Sequence, residues 1–145
     1  MAPRLHIFKA DTSSSLPLLY ADAGIKAGFP SPAQDYMTES IDLNELLVRQ
    51  KETTFYARVD GDSMIGVGIC HGDIAIIDKS LEARNGDYVV AYIDGEFTIK
   101  QYKLDDSHAC AWLIPANKKY RPIRVTIDND FRVWGVVTGV IRKFR

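Results

Sequence analysis

Two side chains raise the question of chemistry. Ser63 stands in Gly61-Asp62-Ser63-Met64, directly after a β-like run, and Lys100 closes Phe97-Thr98-Ile99-Lys100. A glycine ahead of a serine permits a tight turn that leaves backbone N–H groups pointing outward. A serine so placed can meet a carbonyl while nearby amides stabilise the oxyanion. The same four residues also suit a turn serine that bonds its own backbone. A serine nucleophile needs a base, and the chain has three histidines, His6, His71 and His108. A Ser63–His71–Asp73 triad would crowd all three members onto adjacent turns, which is poor geometry. Lysine is the other choice. At a free pKa of ~10.4, roughly one lysine in 2,500 is neutral at pH 7. Lowering that pKa by ~3 units takes on the order of 4 kcal/mol of differential destabilisation of the ammonium. A hydrophobic β pocket can supply it, and the neutral amine can then deprotonate a serine. Alternation puts Thr98, Lys100 and Tyr102 on one strand face and Phe97, Ile99 and Gln101 on the other. That pattern leaves open whether the lysine face is solvated or covered.

Other chemistries fit less well. Cys70-His71 and His108-x-Cys110 offer two sulfurs and two imidazoles, but not at the usual zinc-ligand spacings. Gly61, Gly66 and Gly68 make no phosphate loop, because no Lys-Ser/Thr follows them. Neither metal nor cofactor is expected. The chain of 145 residues has a net charge of −1, so no broad cationic field points to direct nucleic-acid binding. The basic end Arg142-Lys143-Phe144-Arg145 reads as a solvated tail. The N-terminus lacks a continuous apolar signal region, and no stretch reaches the length of a membrane span. Two cysteines without a secretory signal suggest the reducing cytoplasm.

The elements that must position these residues are mostly strands. At 46% hydrophobic and 26% charged, the composition suits one globular domain with a real core. Residues 1–34 are rich in Ala, Ser, Pro and Gly without a clear period and read as an extended or flexible arm. Within it, Leu16 to Tyr20 is an apolar patch able to dock as a strand. "IDLNELLVRQ" is the one good helix, with Asp42 as cap, Glu45 in capping-box spacing, and Leu43, Leu46 and Leu47 on one face. From Thr53 onward the pattern is β. "DYVVAYI", Asp94-Gly95 and "EFTIKQY" form the strongest hairpin signal. "TFYARV", "DIAIID", "AWLIPA", "IRVTI" and "FRVWGVVTGVIRKF" supply further strands between turn residues. Many short strands at this spacing predict a mainly β, compact and strongly bent antiparallel domain with one short helix.

Taken together, "AGFPSPAQDY", "IDLNELL", "GDSMIGVGICHGDIAIID", "GDYVVAYIDGEFTIK" and "LIPANKKY" resemble the UmuD branch of the LexA-type self-cleaving serine proteases (peptidase S24), in order and in spacing, over nearly the whole chain from Ala27. The 37 positions between Ser63 and Lys100 match the spacing of that family's Ser-Lys dyad. The resemblance implies a LexA/signal-peptidase-like fold, Ser63 as nucleophile, Lys100 as general base, and the backbone N–H groups of Asp62 and Ser63 as oxyanion hole. It implies a cut between Ala27 and Gly28, dividing a 1–27 arm from a 28–145 protease and dimerisation domain. Small residues flanking that bond would let the chain lie close to the serine, Ile25 would fill an apolar subsite, and Phe29-Pro30 would fix the exit direction. The 27 residues before the cut are too few for the helix-turn-helix domain of a LexA repressor. A homodimer is implied, as are stimulation by the RecA–single-stranded-DNA filament and service to a UmuC-like Y-family polymerase in translesion synthesis. The alternatives are a non-enzymatic polymerase-binding module, a repressor relative without its DNA-binding domain, and a trans-acting peptidase of the signal-peptidase kind.

Overall fold

The computed structural model describes residues 6–15, 17–20, 27–28, 39–107 and 110–145. The expected β architecture is present. Strand β4 (Thr54–Arg58) leads through the Ser63 segment into β5 (Ile74–Asp78). Then come β6 (Tyr88–Ile93), β7 (Glu96–Leu104), β8 (Ala111–Ile114), β9 (Ile123–Val125) and β10 (Phe131–Ile141). With β1 (His6–Lys9) they form an antiparallel sheet in the order β1-β4-β5-β10-β6-β7-β8-β9. The long β10 runs between β5 and β6. Its register shifts at Val133/Gly135 and again at Val137/Gly139, and such irregularities bend a strand and increase its twist.

The β6–β7 hairpin turns through Asp94 (φ 47°) and Gly95 (φ 90°). Positive φ at both central residues is what the tight two-residue hairpin turn requires. Side chains alternate across β6: Val90 enters one buried cluster, with Val59, Met64, Ile77 and Ile99, while Val89 and Ala91 enter a second, with Leu113, Val125 and Val136. Among the described residues no helix is long and apolar enough to cross a membrane.

Two expectations need revision. The N-terminal arm carries strands: β1 pairs with β4, from His6 opposite Arg58 to Lys9 opposite Phe55. The apolar patch does dock as a strand, β2 (Pro17–Tyr20), but against β3 (Glu39–Asp42) in a separate two-stranded ribbon. Leu16 lies outside the described residues. The helix is also shorter than its pattern. It covers only Leu43–Leu47, capped as expected by Asp42, whose carboxylate accepts from Asn44 N–H at 3.0 Å. At that length it presents no continuous stripe, and Leu43 and Leu46 face solvent.

Candidate active site

Ser63 sits in the connection between β4 and β5, and Lys100 in the middle of β7. The two meet in space: Lys100 Nζ lies 3.0 Å from Ser63 Oγ. It also reaches Thr98 Oγ1 at 2.7 Å and the Ile99 carbonyl at 3.1 Å. Thr98 is two residues back on the same strand face, as alternation requires. Lys100 is paired across the hairpin with the fully buried Val89, and only 6% of its own surface is exposed. Burial disfavours the ammonium and lowers the Lys100 pKa from 10.5 to about 8. The strand pattern alone could not say which face is covered. Beside the pair is a cleft lined by Val59, Gly61, Ser63, Met64, Phe97 and Ile99, among others.

The serine segment is held from two sides. Gly61 takes φ 105°, open to glycine at little cost, and Met64 is buried beneath the turn. Residues Ile65–Val67 form one turn of 3₁₀-helix against the loop joining β8 to β9. There, Ala116 N–H donates to Ser63 O and Gly66 N–H to Ala116 O, both at 2.8 Å. A Cβ built on Gly66 would stand 2.5 Å from the Ala116 carbonyl oxygen, so only glycine fits this approach. From the same loop, Asn117 Nδ2 donates to Asp62 O at 2.9 Å, and the Tyr120 hydroxyl donates to Asp62 Oδ1 at 2.5 Å. The Tyr120 hydrogen bond holds the Asp62 carboxyl below its ordinary range, with help from Lys119 at 3.5 Å. Among the described residues, no backbone carbonyl takes the amide of Asp62 or of Ser63. The stretch "LIPANKKY" thus clamps the turn that carries the serine. Roles for Asn117, Tyr120 and the Thr98 hydroxyl are not visible in the sequence, beyond the alternation that places Thr98 beside Lys100 and the "LIPANKKY" block that carries Asn117 and Tyr120.

The other candidates lie elsewhere. Ala27 and Gly28 are exposed, and a Cβ on Gly28 meets nothing within 4 Å among the described residues, so the structure does not bring this bond to Ser63. Ile25, Phe29 and Pro30 fall outside the described residues. His71 Nδ1 accepts from Gly61 N–H at 3.1 Å. Asp73 is buried and engaged with Arg142, whose Nε and Nη2 reach its two oxygens at 2.7 and 2.6 Å. Those bonds hold the Asp73 carboxyl below its ordinary range. The basic end is therefore not wholly solvated, because its first residue locks a buried carboxylate and also reaches Gly68 O at 2.6 Å. His108 lies outside the described residues, and among those described no group of His, Cys, Asp or Glu is arranged to hold a metal.

The chain is similar to known proteins over most of its length. The model of the Peptidase S24-like family matches residues 17–138, a span that includes Ser63, Lys100 and the clamping loop. The chain is 41% identical to protein SamA of Salmonella typhimurium (strain LT2), over 82% of its own length and 81% of SamA. It is 43% identical to protein MucA of Escherichia coli, over 79% of this chain and 77% of MucA. Against the LexA repressor of Carboxydothermus hydrogenoformans it is 40% identical over 90% of its length, but it spans only 61% of the repressor. A β domain of this kind, matched over most of its length, belongs to the Peptidase S24-like family of serine peptidases, beside UmuD-like proteins such as SamA and MucA.

Proposed function

We propose that this protein is a self-cleaving serine endopeptidase in which Ser63 and Lys100 cut the Ala27–Gly28 bond. The observation that carries the reading is the 3.0 Å contact between a buried lysine amine and the serine hydroxyl. An ammonium has three donors and no acceptor. Lys100 Nζ has three oxygen partners, from Ser63, Thr98 and Ile99. On losing one proton, two N–H groups remain for Thr98 and Ile99, and the lone pair is left for the Ser63 hydroxyl.

The steps follow from that arrangement. The amine takes the serine proton as Oγ attacks the Ala27 carbonyl carbon. The resulting oxyanion is met by the N–H groups of Ser63 and Asp62. As the tetrahedral species collapses, the C–N bond breaks and the ammonium returns its proton to the departing Gly28 amine. An ester joins Ala27 to Ser63. A water, deprotonated by the same amine, then attacks the ester and frees both the Ala27 carboxylate and the serine.

Residues 28–145 remain as the working domain after residues 1–27 are removed. In this reading the chain is a homodimer, the RecA filament on single-stranded DNA stimulates the cut, and the product serves a UmuC-like Y-family polymerase in SOS mutagenesis. Support for that setting is the family and the UmuD-like relatives.

The test is self-processing of purified protein between pH 7 and 10, followed by mass spectrometry. With the Lys100 pKa at about 8, the neutral fraction rises about tenfold from pH 7 to pH 9 and then levels. The cleavage rate is expected to follow it, to yield a fragment starting at Gly28, and to vanish in Ser63→Ala and Lys100→Ala. A folded chain that stays intact across this range, with or without the RecA filament, would overturn the reading.

A further inference from the structure

We propose that Asn117 is a positioning residue for the oxyanion site, acting through the peptide unit between Asp62 and Ser63. The inference rests on the reading of Ser63 given above and adds a residue to it. The Asp62 carbonyl and the Ser63 N–H belong to one planar unit and point in opposite directions across a trans bond. Whatever fixes the Asp62 oxygen therefore aims the Ser63 N–H. Asn117 Nδ2 donates to that oxygen at 2.9 Å, closer than the Ile65 N–H at 3.3 Å. The next carbonyl, that of Ser63, is held at 2.8 Å by Ala116 N–H. Both carbonyls bracketing the serine are thus gripped by the β8–β9 loop, one through a side chain and one through backbone.

The Asn117 amide is itself fixed at its other end, because its Oδ1 accepts from Lys119 N–H at 3.0 Å. A donor resting on the Asp62 oxygen also polarises the peptide, so the Ser63 N–H becomes a stronger donor to an arriving oxyanion. Tyr120 restrains the same residue through its carboxylate.

Two substitutions separate aiming from simple loop support. Asn117→Asp keeps an acceptor for Lys119 N–H but replaces the donor with an oxygen. Asn117→Ala removes both bonds without adding charge, and it keeps the test open should the first variant fail to fold. In each, the plateau rate of self-cleavage is expected to fall roughly tenfold or more, short of the roughly hundred- to thousandfold cost of losing an oxyanion-hole donor outright. In Asn117→Ala the pH midpoint is expected to stay where wild-type protein has it, because the lysine is untouched and no charge is added. The Ser63 amide proton resonance should move upfield, while resonances of β5 and β10 hold still. A plateau within twofold of wild type, a moved midpoint in Asn117→Ala, or an unshifted Ser63 resonance would overturn the inference. Wild-type protein that never cleaves would instead sink the reading of Ser63 as nucleophile, and the Ser63 resonance would still decide whether Asn117 acts on that peptide.

Discussion

Lys100 carries a cost that follows from its setting. Its folded pKa of about 8 lies below the 10.5 of a free lysine. Burying the ammonium therefore destabilises the fold fully at pH values below 8, and the penalty fades as pH rises from 8 toward 10.5. The shift corresponds to about 3 kcal/mol at most. Lys100→Met should abolish cleavage yet raise stability at pH 7 by roughly 1–3 kcal/mol, the lost hydrogen bonds offsetting part of the gain. Urea denaturation of both proteins at pH 7 and pH 10 checks this. No gain at pH 7, or a gain that grows with pH, would mean the amine is solvated. At this scale the sequence was half legible. Residue types and alternation marked Ser63, Lys100 and the Thr98–Lys100 face. Which face is covered was hidden, because it depends on Val89 across the hairpin and on a turn packed over the strand from nearly forty positions away.

Elements with strong local signals were readable, and those defined by distant partners were not. The β6–β7 hairpin announced itself because Asp-Gly suits a turn needing two positive φ values. Strand β1 was missed because four residues with no flanking turn signal make no period. Its identity comes from the edge of β4. The helix was overread for the opposite reason: a leucine pattern promised a buried face that five residues do not build. The 3₁₀ turn at Ile65–Val67 matters most for the site, since it presses the serine segment onto the β8–β9 loop. Gly66→Ala would place a methyl 2.5 Å from the Ala116 oxygen, and backbone cannot swing aside as a side-chain tip can. The expected result is a loss of about 1–3 kcal/mol in stability together with slower self-cleavage, read by thermal melting and by the fragment yield at pH 9. An unchanged melt and rate would show that the two segments separate without consequence.

Across the whole molecule, the family and the β architecture were legible from blocks spread over most of the chain, while the relation between leader and site was not. Ala27 and Gly28 are exposed, and for the proposed cut they would have to move to Ser63. The leader is nonetheless anchored to its own chain, by β1 on β4 and by β2 on β3. Such tethering favours attack within one chain. Self-cleavage is thus expected to be first order, with a rate constant independent of protein concentration. A Ser63→Ala chain mixed with a Gly28→Glu chain should remain intact. Appearance of the fragment from the first chain would show that the leader crosses between copies. The same anchoring has an outcome beyond the cut itself. Both ribbons that moor the leader lie upstream of Ala27, and both partners lie downstream of Gly28. Severing that bond would leave those pairings intact, so in the proposed reading scission and departure are distinct events. If the proposed cut occurs, the nicked molecule would keep its severed piece paired through these two short ladders until they fray, and that unzipping would set when the shortened form emerges.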